Sequence, residues 1–92
     1  MIARRLVVRG RVQGVGFRYA LVDVATMMGA AGWVRNRRDG TVEALVQGED
    51  TIVDAVVAWC RRGPPAARVT TVDVEPATPD SGTAGFSMKP TS

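Results

Sequence analysis

Between residues 5 and 28 the apolar spacing changes from two to about 3.6, and the changeover falls on a glycine-rich stretch, "GRVQGVG". Before it, Leu6, Val8, Gly10 and Val12 alternate with Arg5, Val7, Arg9 and Arg11, the period of a strand with one face on a core. After it, Phe17, Ala20, Leu21, Val24, Ala25 and Met28 recur at helical spacing, with Gly29 or Gly32 as the expected stop. One continuous element cannot satisfy both periods, so the chain must turn from strand to helix within these few residues.

The same logic carries through the rest. "GWVRNRRDGTVEALVQG" reads as a hairpin, with Gly32, Val34 and Asn36 on one face of its first strand and Val42, Ala44 and Val46 on one face of its second. Its turn is "RRDG", because Asp-Gly tolerates the positive φ that tight hairpins need. A second helix follows, capped by Asp50 or Thr51, with Ile52, Ala55, Val56, Trp59 and Cys60 as its expected buried stripe. Gly63 and the prolines of "RRGPP" end it. "RVTTVDVEP" is a strand, and "GFSMK" a short last strand beyond the polar loop "ATPDSGTA".

The resulting order, βαββαβ with a short strand appended, predicts an α+β fold: a ferredoxin-like sandwich over residues 1–92, one domain, with two helices covering one face of an antiparallel sheet. The outward set Arg5, Arg9, Arg11, Arg35, Arg37, Glu43 and Gln47 is polar enough for a solvent-facing side.

Composition removes whole classes of chemistry. The 92 residues contain no histidine and a single cysteine, Cys60, so neither a zinc site of the usual kind nor a Cys/His nucleophile can be assembled. Catalysis, if any, must use arginine, carboxylates, amides, hydroxyls, main chain and water. The formal charge of +3 rests almost wholly on arginine, whose planar fork of donors suits phosphate and carboxylate oxygens. No apolar run approaches the roughly eighteen residues of a membrane span, and the N-terminus lacks the apolar core of a secretory signal. With one cysteine, these features predict a cytoplasmic setting.

Two local features point to a ligand. Gly14 and Gly16 leave the strand-to-helix loop free to turn successive N–H groups inward at a helix N-terminus, which attracts anions. Arg18, in the first helical turn, sits where a cation is ordinarily disfavoured, and so suits a bound anion. The plainer alternative is a flexible connection with an ordinary surface arginine. Asn36 lies at the same sheet edge and on the helix-covered side. A carboxamide among inward apolar residues needs partners or costs about 1–3 kcal/mol. It either satisfies local main chain near the turn or fixes a water beside an anion.

"GRVQGVGFR" and "GWVRNRRDGTVE" resemble the two signature stretches of the acylphosphatase family, in order and spacing, over essentially the whole chain. The resemblance implies hydrolysis of a carboxyl–phosphate mixed anhydride to carboxylate and inorganic phosphate, without metal, cofactor or covalent intermediate. It makes Arg18 the phosphate-binding arginine and Asn36 the residue that orients the attacking water. The substrate phosphate would sit on Val12, Gln13, Gly14, Val15, Gly16, Phe17 and Arg18. An alternative is a non-catalytic or carbamoyl-phosphate-handling module of a larger maturation system.

The expected partner is a small acyl phosphate, with no nucleic acid and no membrane, and the protein is expected to be a monomer. RNA-binding proteins of this fold stack bases on sheet aromatics, whereas the outward residues of the first and third strands include none. Trp33 and Tyr19 are expected to pack at sheet or helix margins, and Met27 and Met28 to pack at the end of the first helix. Arg37, Arg38 and Asp39 form a solvated turn. Arg61 and Arg62 suit the C-terminal end of the second helix.

Overall fold

The computed structural model describes residues 1–92. Its elements are β1 (Ile2–Arg11), α1 (Phe17–Met28), β2 (Ala31–Asn36), β3 (Val42–Gly48), α2 (Asp50–Arg62), β4 (Arg68–Ala77) and β5 (Phe86–Met88). The strands lie in the order β4-β1-β3-β2-β5. The central pairings β1–β3, β1–β4 and β2–β3 are antiparallel, and Val8, Val42 and Asn36 stand in one row across the sheet. β1 and β2 therefore run the same way, and the loop after β1 and the turn after β2 share one edge.

The four main strands pair antiparallel, as the sequence predicted, and the short added strand makes the sheet mixed: β5 pairs parallel to β2. Connection length explains this. The chain leaves β4 at Ala77 and enters β5 at Phe86, so β5 must begin at the sheet end where β4 finishes. That direction is opposite to β4 and the same as β2. The connecting loop is fastened by Gln47, whose Nε2 donates to the Asp80 carbonyl (2.7 Å) while Oε1 accepts from the Asp80 N–H (3.0 Å). Gln47 is consequently buried rather than solvent-facing.

The core forms between the helices and the inward residues of β1, β2 and β3: Leu6, Val8, Val12, Val34, Val42, Ala44 and Val46. α1 contributes Phe17, Leu21 and Ala25, and α2 contributes Val53, Val56 and Cys60. Each large aliphatic or aromatic side chain buried here stabilises by about 1.5–3 kcal/mol. The α2 stripe is rotated from the expected one. Ile52 and Trp59 lie at its margins, Val53 takes the centre, and Ala55 is exposed. No side chain caps α2; Glu49 occupies the capping position, ahead of the expected Asp50 or Thr51.

α1 stops at Gly29, and Ala30 rather than Met28 continues the buried surface, its N–H bonded to the Ala25 carbonyl. Met27 and Met28 are thus exposed instead of packed. In β2, Gly32 has φ +139°, and a Cβ there would lie 1.8 Å from the Leu45 carbonyl oxygen, so only glycine lets β2 and β3 approach.

On the opposite sheet face Glu43 is buried between Arg5 and Arg35, which bond its two carboxylate oxygens at 2.7 Å each. Trp33 lies on that face too, with Arg35 at 4.9 Å and Lys89 at 4.5 Å from its ring centroid. Long charged side chains therefore cover part of a face that the pattern of residues alone marked as open.

Candidate active site

The loop between β1 and α1 is held at its ends and free in its middle. Val12 is buried in the core beneath it. Phe17 anchors the far end, with its ring 5.5 Å from that of Trp59. Gly14 (φ +72°) and Gly16 (φ +79°) take left-handed conformations that side-chain-bearing residues avoid. Gly16 is the helix N-cap and, lacking a side chain, offers no capping bond.

Every main-chain N–H from Gln13 to Tyr19 is consequently without a protein hydrogen-bond partner; the first bond of the helix is Ala20 N–H to the Gly16 carbonyl. Such a run of free donors at a helix N-terminus concentrates positive potential, and no acidic residue in the first turn offsets it. Arg18 adds a guanidinium that makes neither a salt bridge nor a hydrogen bond within the protein. A cavity of about 220 Å³ opens here, lined by Val12, Gly14, Gly16, Phe17, Arg18 and Tyr19. The expected site residues Gln13 and Val15 are not in its lining: Val15 packs partly against the core, and the Gln13 side chain turns away.

Gln13 is what joins this loop to the hairpin turn. Its Nε2 donates to the carbonyls of Arg37 (2.7 Å) and Thr41 (2.9 Å), the two residues whose main chains pair across the turn. The far side of the same turn is held by Ser92, whose N–H donates to the Asn36 carbonyl (3.0 Å) and whose carbonyl accepts from Arg38 N–H (2.9 Å). Asp39 completes the turn by accepting from both the N–H and the hydroxyl of Thr41. The Thr41 bonds hold its carboxyl below the ordinary value, with Arg37 and Arg9 adding to the effect. Arg37, Arg38 and Asp39 are thus a braced turn and not merely a solvated one.

Asn36 stands between these two clamps, in the Val8–Val42 row on the helix-covered face. It is outside the cavity lining, yet its Oδ1 is buried and has no hydrogen-bond partner. A buried carbonyl oxygen left unpaired costs about 1–3 kcal/mol. It is an acceptor available to a donor that the protein itself does not supply.

Sequence reasoning missed the side-chain role of Gln13 and the grip of Ser92 on the turn, because both link segments distant along the chain. It also placed Tyr19 among packed residues, whereas 68% of its surface is exposed and it borders the cavity. A second cavity of about 220 Å³, along β4, is lined by Val69, Thr70, Thr71, Val72 and Arg61. It abuts the C-terminal part of α2, where the helix dipole opposes anion binding, and so it lacks the electrostatics of the first. No three His, Cys, Asp or Glu side chains are grouped so as to hold a metal ion, and no helix is long and apolar enough to cross a membrane.

Comparison with known proteins bears on this geometry. The family model described as Acylphosphatase matches residues 4–88. An acylphosphatase of Trichormus variabilis is 52% identical over 89 residues, covering 97% of this chain and 87% of that protein. The crystal structure of acylphosphatase from Bacillus subtilis superposes with a TM-score of 0.92 at 39% identity, covering 97% of this chain and 99% of the other. Full-length HypF in its phosphate- and nucleotide-bound form also matches, with a TM-score of 0.87 at 25% identity; 98% of this chain corresponds to 12% of HypF.

Proposed function

This chain belongs to the acylphosphatase family and hydrolyses acyl phosphates, and from that premise we propose how its own residues perform the reaction. The phosphoryl oxygens lie on the main-chain N–H groups of Val12 to Phe17 and on the guanidinium of Arg18. Asn36 holds the attacking water through its Oδ1. The water oxygen bonds to phosphorus as the bond from phosphorus to the carboxylate oxygen breaks, and the electron pair departs with the carboxylate. A phosphate oxygen of the substrate takes the water's proton, so no histidine is needed.

A carboxylate leaves readily, and the protein's task is positioning and charge stabilisation. No side chain in the loop is a nucleophile, which favours direct attack by water over a covalent enzyme intermediate. The observation that carries this reading is the run of unbonded N–H groups beside an unpaired arginine. The unpartnered Asn36 Oδ1 supports the water-orienting role.

Residues 1–92 act in this proposal as one acylphosphatase domain, monomeric and cytoplasmic, with no metal, cofactor or nucleic acid. The test is phosphate release from benzoyl phosphate in the presence of a chelator, with the mass in solution measured by light scattering. Full turnover with EDTA supports the proposal, and loss of turnover restored by a divalent cation would overturn the metal-free part.

The likeness to HypF favours a second reading, a carbamoyl-phosphate-handling or non-catalytic module of a larger system. Greater identity to an acylphosphatase matched over 87% of its own length favours the enzyme. Phosphate binding without turnover of any acyl phosphate would reverse that preference.

A further inference from the structure

We propose that Tyr19 is the residue that contacts the acyl group, and that it biases the enzyme toward acyl phosphates whose acyl part is flat and apolar, aromatic ones above all. The inference rests on the phosphate-loop reading above and extends it by elimination around the cavity wall.

Six residues line the cavity. Val12 and Phe17 are each only 1% exposed and belong to the core, so they offer a ligand very little surface. Gly14 and Gly16 provide main chain alone. Arg18 provides charge. The one remaining side chain is that of Tyr19, a residue 68% exposed at the cavity's edge that makes no side-chain hydrogen bond or aromatic contact within the protein. With the phosphoryl group on the loop, the acyl group projects out of the cavity, where Tyr19 offers the most exposed apolar side chain of the lining. An aromatic acyl group can stack on that ring in an offset arrangement, whereas an acetyl group covers little of it.

The experiment compares wild type, Tyr19→Ala and Tyr19→Phe on benzoyl phosphate and acetyl phosphate, with inorganic phosphate as competitive inhibitor. Tyr19 is exposed enough for both variants to keep the wild-type urea midpoint. Tyr19→Ala should lower kcat/KM for benzoyl phosphate about fivefold, mainly through KM. Acetyl phosphate turnover should fall by less than that, phosphate inhibition should be kept, and Tyr19→Phe should retain the preference. If the ratio of the two kcat/KM values is unmoved in Tyr19→Ala, the proposal is wrong. If Arg18→Ala leaves phosphate inhibition intact, the loop reading itself fails, and the assignment of Tyr19 falls with it.

Discussion

Gln13 Nε2 donates to the carbonyl oxygen of Arg37 at 2.7 Å, tying the glycine loop to the turn that follows Asn36. The same nitrogen reaches the Thr41 carbonyl, so one amide group ties both sides of the hairpin turn to the loop. Gln13→Ala should therefore lower stability by about 1–2 kcal/mol, because two carbonyls lose a shared donor. Gln13→Glu should be worse, since a carboxylate would face those carbonyls without a proton to give. Urea unfolding of both variants checks the order, and equal stability of the two would remove the bridging argument.

Arg18 and Asn36 should separate binding from turnover. Arg18→Ala is expected to lose about 10²–10³ in kcat/KM together with inhibition by inorganic phosphate. Asn36→Ala is expected to lose turnover on a similar scale while phosphate still inhibits. Its stability should be undiminished, because the substitution removes a buried oxygen that has no partner. A clear loss of stability in Asn36→Ala would mean that the carboxamide is structural.

Glu43 should give the fold an acid-sensitive contribution. Burial pushes its carboxyl up, but the bonds from Arg35 and Arg5 outweigh this and hold it below the ordinary 4.5. A carboxyl lowered in the folded state stabilises fully above its unfolded value and loses that contribution as pH falls through the folded value. Above pH 5 (the carboxylate range), Glu43→Gln should be less stable than wild type by about 1–3 kcal/mol. The two should converge as the pH falls below 4.5 and through the lowered folded value. Urea midpoints measured across this range test the convergence.

Cys60 has the opposite dependence. Its thiol is fully buried on α2, and burial pushes it from 9.0 up to about 12, with Arg61 opposing slightly. The folded state therefore holds a proton that the unfolded chain releases. This contribution is complete below pH 9.0 and declines as pH rises from 9.0 toward about 12. Alkylation by iodoacetamide at pH 8 should be negligible in the native protein and should appear only under unfolding conditions. The alkaline fall in stability should be shallower in Cys60→Ala. Rapid native labelling would contradict the burial.

The periodicities made most of the fold legible. Strand, helix and hairpin could be read because apolar residues one face apart in sequence remain one face apart in space. They failed where a residue's surroundings come from another segment. The α2 stripe kept the expected Val56 and Cys60 but buried Val53 in place of Ile52 and Ala55, and Gln47 was buried by the Asp80 loop. Tyr19 was expected to pack at a sheet or helix margin, but it stands exposed on α1.

By itself the sequence determined the element order, the glycine loop before a helix and the proximity of Arg18 to that loop, since each depends on conformations set within a few residues. The tertiary structure decided that β5 runs parallel to β2 and that Gln13 and Ser92 brace the turn around Asn36. It alone left the Asn36 oxygen buried without a partner. Those outcomes depend on strand register and on side chains meeting across the sheet, and no local preference encodes which distant groups will meet.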